Sequence, residues 1–365
     1  MVKILIILGG LGTEGITNSV LTYLEHMDKT GLDITLGVAG KSDKEQLTRA
    51  NNIGIKIYFL PGRNIFPIKY FFNMISLIKR EKFKIVHVHG NSATLGLDML
   101  AAWIGGARVR IAHSRNTSCT HPLMDKCMRL LFNMTYTDGF ACGEDAGMWL
   151  FKDKKYTVIP NGKDVNKFIY SEKNRSLVRA ELGIKDEIVL GHVGIFNEQK
   201  NHDFLIDIFN DLCKQSNNYI LCLFGGDGGK LAKIQEKVNA YGLNSKVKFM
   251  GFKNDMACYL SGMDIMVFPS LYEGLPNVVV EWQISGLPCL ISDKITRECK
   301  VFDNVRYLPI DIGTKIWVDA IKSTLIKDRL SDEEHIRKEI ARAGYDISQN
   351  VISLRRKYLE FGERK

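Results

Sequence analysis

No stretch of this 365-residue chain is apolar over the ~18–20 residues that a bilayer-spanning helix needs. The clean apolar run nearest the start covers only residues 4–8, too short for the core of a secretory signal. A protein kept in the cytoplasm is the expectation. The eight cysteines (119, 127, 142, 213, 222, 258, 289 and 299) form no C-x-x-C pair and have no histidine at zinc-site spacing. They read as free structural thiols in a reducing compartment. Low-complexity tracts and short-period repeats are absent. So is the alternation of aromatic and basic residues that marks RNA-binding surfaces, and no nucleic-acid partner is expected. No Asp-x-Asp occurs, which argues against a diphosphate held through a metal. No cofactor or metal site is expected.

What is present is a chain of ordinary globular composition, 45% hydrophobic and 25% charged. It is longer than one compact core usually grows, so two domains are expected. The net charge of +9 is uneven: residues 1–165 hold 21 Lys and Arg against 14 Asp and Glu. A basic first half points to an anionic partner, either a phosphorylated acceptor or an acidic membrane surface.

Short, almost continuously apolar runs alternate with helical patterns. Strands are expected over residues 2–8, 34–38, 55–60, 85–89, 109–112, 139–142 and 157–159. A second series covers 188–193, 219–224, 247–250, 265–268, 288–291 and 305–308. Runs of this kind suit strands covered by helices on both faces. The class is therefore α/β, with two Rossmann-like, doubly wound parallel-sheet domains facing across a cleft. The domains are expected at 1–165 and 166–345, with a final helix over 346–363 packing back on the first. Residues 67–84 form an amphipathic segment with a basic end, read as a crossover helix or, more sharply, as a contact for anionic lipid.

Gly10, Gly12 and Gly15 make a G-x-G-x-x-G after the first strand, the setting of a dinucleotide-binding turn. The second strand should then end in an acid, but it ends at Lys41, with Asp43 one step too far round the loop. A turn that lets the backbone come close to something in the cleft is the better reading.

The strongest signal is the segment 268–281. A strand ends at Phe268, a loop carries Glu273 and Gly274, and a helix begins near Pro276. The N–H groups of Leu275, Asn277 and Val278 would make an anion site at the positive end of that helix, suited to a diphosphate. Glu281, a turn further on, could accept hydrogen bonds from a ribose diol. Glu273 could reach sugar hydroxyls.

Glu273 and Glu281, seven residues apart, followed by Trp282-Gln-Ile-Ser-Gly-Leu-Pro288, resemble the family 4 retaining glycosyltransferases of GT-B fold, in particular the capsular and exopolysaccharide type. Further matches run in order along nearly the whole chain: His87-Val-His89, His113-Ser-Arg-Asn116, Ile159-Pro-Asn-Gly-Lys-Asp164, Gly191 to His202, Phe224-Gly-Gly-Asp227, and Phe249 to Asp255. The resemblance implies transfer of a hexose or N-acetylhexosamine from a nucleotide sugar, UDP-linked, to a saccharide on polyprenyl diphosphate. It also implies roles. Lys200 would neutralise the donor diphosphate, with Gly15 and Gly194 in the turns beside it. Phe252 would offer its backbone to the base, Glu281 would hold the ribose, and Glu273 the sugar. His113 would sit at the reacting centre, while His87 and His89 read as structural. One departure stands out: the family carries Arg after the loop glycine, where this chain has Ile195. A catalytically weak binding subunit, or a nucleotide-sugar epimerase, are the alternative readings.

Overall fold

The computed structural model describes residues 1–12, 15–119, 121–326, 329 and 333–364. The chain divides into two compact units: Met1–Lys163 together with Gly344–Lys365, and Asp164–Ala343.

In the first unit, strands β1 (Val2–Leu8), β2 (Leu32–Val38), β3 (Lys56–Phe59), β4 (Ile85–Gly90), β5 (Val109–Ser114), β6 (Asp138–Ala141) and β7 (Thr157–Val158) form one sheet in the order β3-β2-β1-β4-β5-β6-β7. Every pairing is parallel. Ile4, Ile6 and Leu8 face one apolar cluster while Leu5 and Ile7 face another, so helices must cover both sides. The chain turns back at β1, and the topological switch point falls between β1 and β4, where such sheets bind ligands beyond their carboxyl ends.

The second unit repeats the plan with β8 (Ile188–Val193), β9 (Tyr219–Phe224), β10 (Val247–Gly251), β11 (Ile265–Phe268), β12 (Cys289–Ser292) and β13 (Val305–Leu308), ordered β10-β9-β8-β11-β12-β13. Its switch point lies between β8 and β11. All six sequence-expected strands of this half, and all seven of the first, are present within a few residues of their expected ends.

The last helix, Ile347–Glu363, belongs to the first unit. Asp346 caps it by accepting from the Ser348 N–H. Ile347, Val351, Leu354, Tyr358 and Phe361 recur at three- and four-residue spacing and pack into the cluster around Ile4 and Leu24. The expected crossover segment forms the helix Pro67–Glu81, ending where Lys82 adopts the left-handed conformation, φ 58°. It buries Tyr70, Met74, Ile75, Leu77 and Ile78 against the sheet.

The glycine-rich turn after β1 has a local cause. A Cβ on Gly10 would lie 2.6 Å from the Lys41 carbonyl oxygen, and one on Gly40 would lie 2.0 Å from that of Gly9. The two loops pass this closely because Leu11 N–H donates to Lys41 O and Asp43 N–H donates to Leu11 O. Asp43 is the cap of the helix Lys44–Asn52, its carboxylate accepting from the Glu45 N–H. Thr13 and Glu14 of the turn lie outside the described residues, and Gly15 opens the helix Gly15–His26.

Candidate active site

In the second unit, three loops converge beyond the carboxyl ends of β8, β9 and β11. The loop after β8 is laid against that after β9: Gly194 N–H donates to Phe224 O, Phe196 N–H to Gly226 O. A Cβ on Gly225 would sit 2.0 Å from Gly194 O, so only glycine permits this approach. Gly194 plays a matching part. A Cβ there would press on the stem of Lys200 at 2.9 Å, and its absence lets that side chain fold over the loop. The loops after β8 and β11 are laced by Leu271 N–H to Gln199 O, Gln199 Nε2 to Tyr272 O, and Asn201 Nδ2 to Pro269 O. Asn201 adopts φ 54°, which turns the chain into the helix His202–Gln215 directly after Lys200.

This lacing brings Lys200 and Glu273 together at the switch point. Lys200 Nζ stands 2.6 Å from Glu273 Oε1 and 4.7 Å from the centroid of the Phe268 ring, and both charged side chains are largely buried. Beneath them His202 stacks on Phe196 with ring centroids 4.2 Å apart. Burial first, then the Lys200 charge, lowers its pKa to about 4, so its imidazole is neutral.

Four residues on from Glu273, the helix Asn277–Ile284 begins after Pro276. The N–H groups of Leu275, Asn277 and Val278 donate no hydrogen bond among the described residues. The Asn277 Oδ1 is likewise buried and without a partner. Glu281, half-buried, shares a helix face with Asn277 at i, i+4 spacing. Gly274 sits in the connecting loop, and Phe252, 50% exposed, follows Gly251 at the end of β10. The arrangement offers one cation, a row of uncommitted backbone donors at a positive helix end, and two carboxylates. That set suits a diphosphate bearing hydroxyl-rich groups on either side. Ile195 is 46% exposed and brings no charge to the loop; its Cγ2 packs over Gly228.

In the first unit, His113 lies at the end of β5 with 1% of its surface exposed. A hydrogen-bonded chain holds it: Tyr358 OH to His87 Nδ1 at 2.7 Å, and His87 Nε2 to His113 Nδ1 at 3.0 Å. The remaining nitrogen, His113 Nε2, is buried without a partner among the described residues. His87, His89 and His113 are all held well below the usual histidine range, by burial first and then by the Arg115 charge. Their nitrogens lie within 4.8 Å of one another, the one such group among the described residues. The donor set fits a metal poorly. Both His87 nitrogens are engaged, His89 Nδ1 accepts from Arg115 Nε at 3.0 Å, and a cation would face that guanidinium. Gly15 and His113 belong to this unit, and the remaining expected site residues (Gly194, Lys200, Phe252, Glu273, Gly274, Leu275, Asn277, Val278 and Glu281) to the second.

Sequence reasoning gave no role to Arg115 and Asn161, which the structure joins at 2.6 Å, nor to Asp264. Asp264 receives Arg175, Arg179 and the Val189 N–H under β8. Nothing in local spacing signals such contacts, because each links residues far apart in the chain.

Two parallel-sheet Rossmann-like units, with a phosphate-competent helix end and a Lys–Glu pair at the switch point of the second, define a glycosyltransferase of GT-B fold. Residues 13–167 match the model described as Glycosyltransferase Family 4, and residues 174–342 that of Glycosyl transferases group 1. The chain is 32% identical to the putative glycosyltransferase EpsF of Bacillus subtilis, over 96% of this chain and 95% of that one. It is 26% identical to an Escherichia coli UDP-Gal:alpha-D-GlcNAc-diphosphoundecaprenol alpha-1,3-galactosyltransferase, over 84% of each. Among solved structures, Anabaena Alr3699/HepE in complex with UDP and glucose superimposes with TM-score 0.81 at 16% identity, covering 98% of this chain and 99% of the other. The protein belongs to glycosyltransferase family 4.

Proposed function

We propose that this enzyme transfers a hexose or N-acetylhexosamine from a UDP-sugar, with retention of configuration, to a saccharide carried on polyprenyl diphosphate in surface-polysaccharide synthesis. The observation that carries the reading is the meeting of Lys200 and Glu273 beside the uncommitted N–H groups of the helix Asn277–Ile284. Two relatives support its finer parts. The E. coli galactosyltransferase uses a UDP-sugar and a diphosphoundecaprenol acceptor, as its name states, and HepE was solved with UDP and glucose.

In this mechanism Lys200 leaves Glu273 to neutralise the diphosphate, aided by the helix end and without a metal. Glu281 takes the ribose diol, the backbone at Phe252 the base, and Glu273 the sugar hydroxyls. The bond between the anomeric carbon and the β-phosphate oxygen breaks as the acceptor oxygen attacks from the same face. The acceptor proton passes to the departing phosphate, and UDP leaves. His113, neutral and with Nε2 without a partner among the described residues, is assigned to steady the positive charge that develops on the sugar. Neither glutamate forms a covalent intermediate.

A lipid-borne acceptor requires approach to a membrane. No helix of the described residues is long and apolar enough to cross one. The helix Pro122–Thr135 is inverted in its amphipathicity: Leu123, Cys127, Leu130 and Met134 form a stripe that faces solvent. On the helix Pro67–Glu81, Ile68 and Phe72 are exposed beside Lys69, Lys79 and Arg80. Apolar side chains interspersed with cations favour peripheral contact with an acidic lipid surface.

A thermal-shift panel of UDP, GDP, ADP and UDP-sugars, repeated on Glu281→Ala, tests the donor site. A ligand at about 100 times its dissociation constant stabilises by about 2.7 kcal/mol. Stabilisation by UDP that disappears in the variant is expected. No shift with any nucleotide sugar would sink the transferase reading. The second reading, a binding subunit of low activity, rests on Ile195, and it takes the lead if UDP binds and no sugar is transferred.

A further inference from the structure

We infer that Arg115 is a second anion site, in the first unit, and that it takes a phosphate group of the acceptor. The inference rests on the proposed function for the identity of that acceptor, but not for the site itself. Three connections converge on the Arg115 guanidinium beyond the carboxyl ends of the strands, and Arg115 itself extends from a fourth. Nε donates to His89 Nδ1 at the end of β4, at 3.0 Å. Nη1 donates to Asn161 Oδ1, after β7, at 2.6 Å, and to Ser19 Oγ on the helix that follows β1, at 3.4 Å. Arg115 itself follows β5, its N–H bonded to Gly90 O. The residues that hold it are braced in turn, Ser19 Oγ donating to Asn161 Oδ1 at 3.0 Å and Tyr23 OH to Pro160 O at 2.6 Å.

All of these partners are neutral. No carboxylate of the described residues pairs with Arg115. Its neighbours carry no compensating charge either. Burial holds the Tyr23 and Tyr358 phenols above their ordinary range and the three histidines below theirs. A half-buried guanidinium is costly to keep without a counter-ion, and burial disfavours its charged form here. Nη2 makes no hydrogen bond among the described residues, while Nε and Nη1 are fixed by theirs, so the Nη2 amino group is held in place and free to donate. A charged amino group held in place suits phosphate better than a flexible ammonium does. The neighbouring helix Gly15–His26 carries no acid in its first turn.

The test titrates the full chain with inorganic pyrophosphate and with farnesyl diphosphate, followed by calorimetry. UDP is held saturating so that the helix end in the second unit is already filled. Arg115→Gln is expected to weaken binding of at least one probe roughly 10- to 100-fold while leaving UDP affinity unchanged. Pyrophosphate binding that depends on Arg115 assigns the bare anion; dependence seen only with farnesyl diphosphate assigns the lipid-borne group. Equal binding to wild type and Arg115→Gln, or no binding of either probe to wild type, overturns the inference. Should Arg115→Gln fail to fold, Arg115→Lys keeps the charge without the fork, and unchanged affinity in that variant overturns the inference as well. Should UDP not bind at all, the donor reading fails separately. The Lys200→Ala chain, with the second-unit cation removed, then decides whether Arg115 binds the probes.

Discussion

Lys200 and Glu273 lie 73 positions apart in the chain, yet Nζ and Oε1 meet at 2.6 Å. The lysine is thus paired with the residue expected to hold the sugar. On the proposed function, a diphosphate would compete with that carboxylate. Lys200→Ala should weaken UDP binding about 10- to 100-fold, the loss of a charge-assisted contact of ~1.5–3 kcal/mol. Glu273→Gln should leave UDP binding equal or tighter, because the competitor is gone, while sugar transfer falls. Calorimetric titration of both variants checks this, and a parallel loss of UDP affinity in the two would refute the competition.

Ile195 occupies the place of an expected arginine and stands partly in solvent over Gly228. Ile195→Arg should tighten UDP binding by a few-fold to a hundredfold, up to the ~1.5–3 kcal/mol of one charge-assisted contact. Unchanged affinity and turnover would mean that another cation already fills the gap.

Stability should fall with acid. His87 and His113 are each 1% exposed, and burial holds their pKa values well below the ordinary ~6.5. Above pH ~6.5 both folded and unfolded chains leave them neutral, and their contribution is intact. Below it the unfolded chain takes up protons that the folded chain refuses, so stability drops by up to about 1.4 kcal/mol per pH unit for each histidine. Urea midpoints measured between pH 7.5 and 5 test the sign. A midpoint that holds or rises on acidification would contradict the buried neutral pair.

Asp264 is 5% exposed and accepts from Arg175, Arg179 and the Val189 N–H at 2.7, 3.2 and 2.8 Å. Asp264→Ala should cost about 3–5 kcal/mol, because it strands two guanidinium groups and a strand N–H. Asp264→Asn, which can still accept from Val189, should cost less. Chemical denaturation of the two variants gives the comparison.

Strand periods, the helix start near Pro276 and the final helix were legible in the sequence because each depends on local preferences that short spacing records. The thirteen strand positions and the stripe from Ile347 to Phe361 belong to that class. The Gly10–Gly15 turn shows the limit. Its pattern fits a dinucleotide fingerprint, whereas Gly10 and Gly40 are required by two loops of the same sheet passing at van der Waals contact. The solvent-facing stripe on the helix Pro122–Thr135 was also invisible, since an apolar period of 3.6 does not say which face meets the core.

By itself the sequence determined the alternation of strands and helices, the two-unit division and the helix that starts after Pro276. Those are properties of neighbours in the chain, written in period, capping and backbone preference. Only the tertiary structure decided that Lys200 rests on Glu273, that Tyr358 from the last helix orders His87 and His113, and that Arg115 is ringed by neutral groups. Each of those contacts joins residues from separate elements of a unit, and strand order, which no local propensity encodes, sets which elements meet.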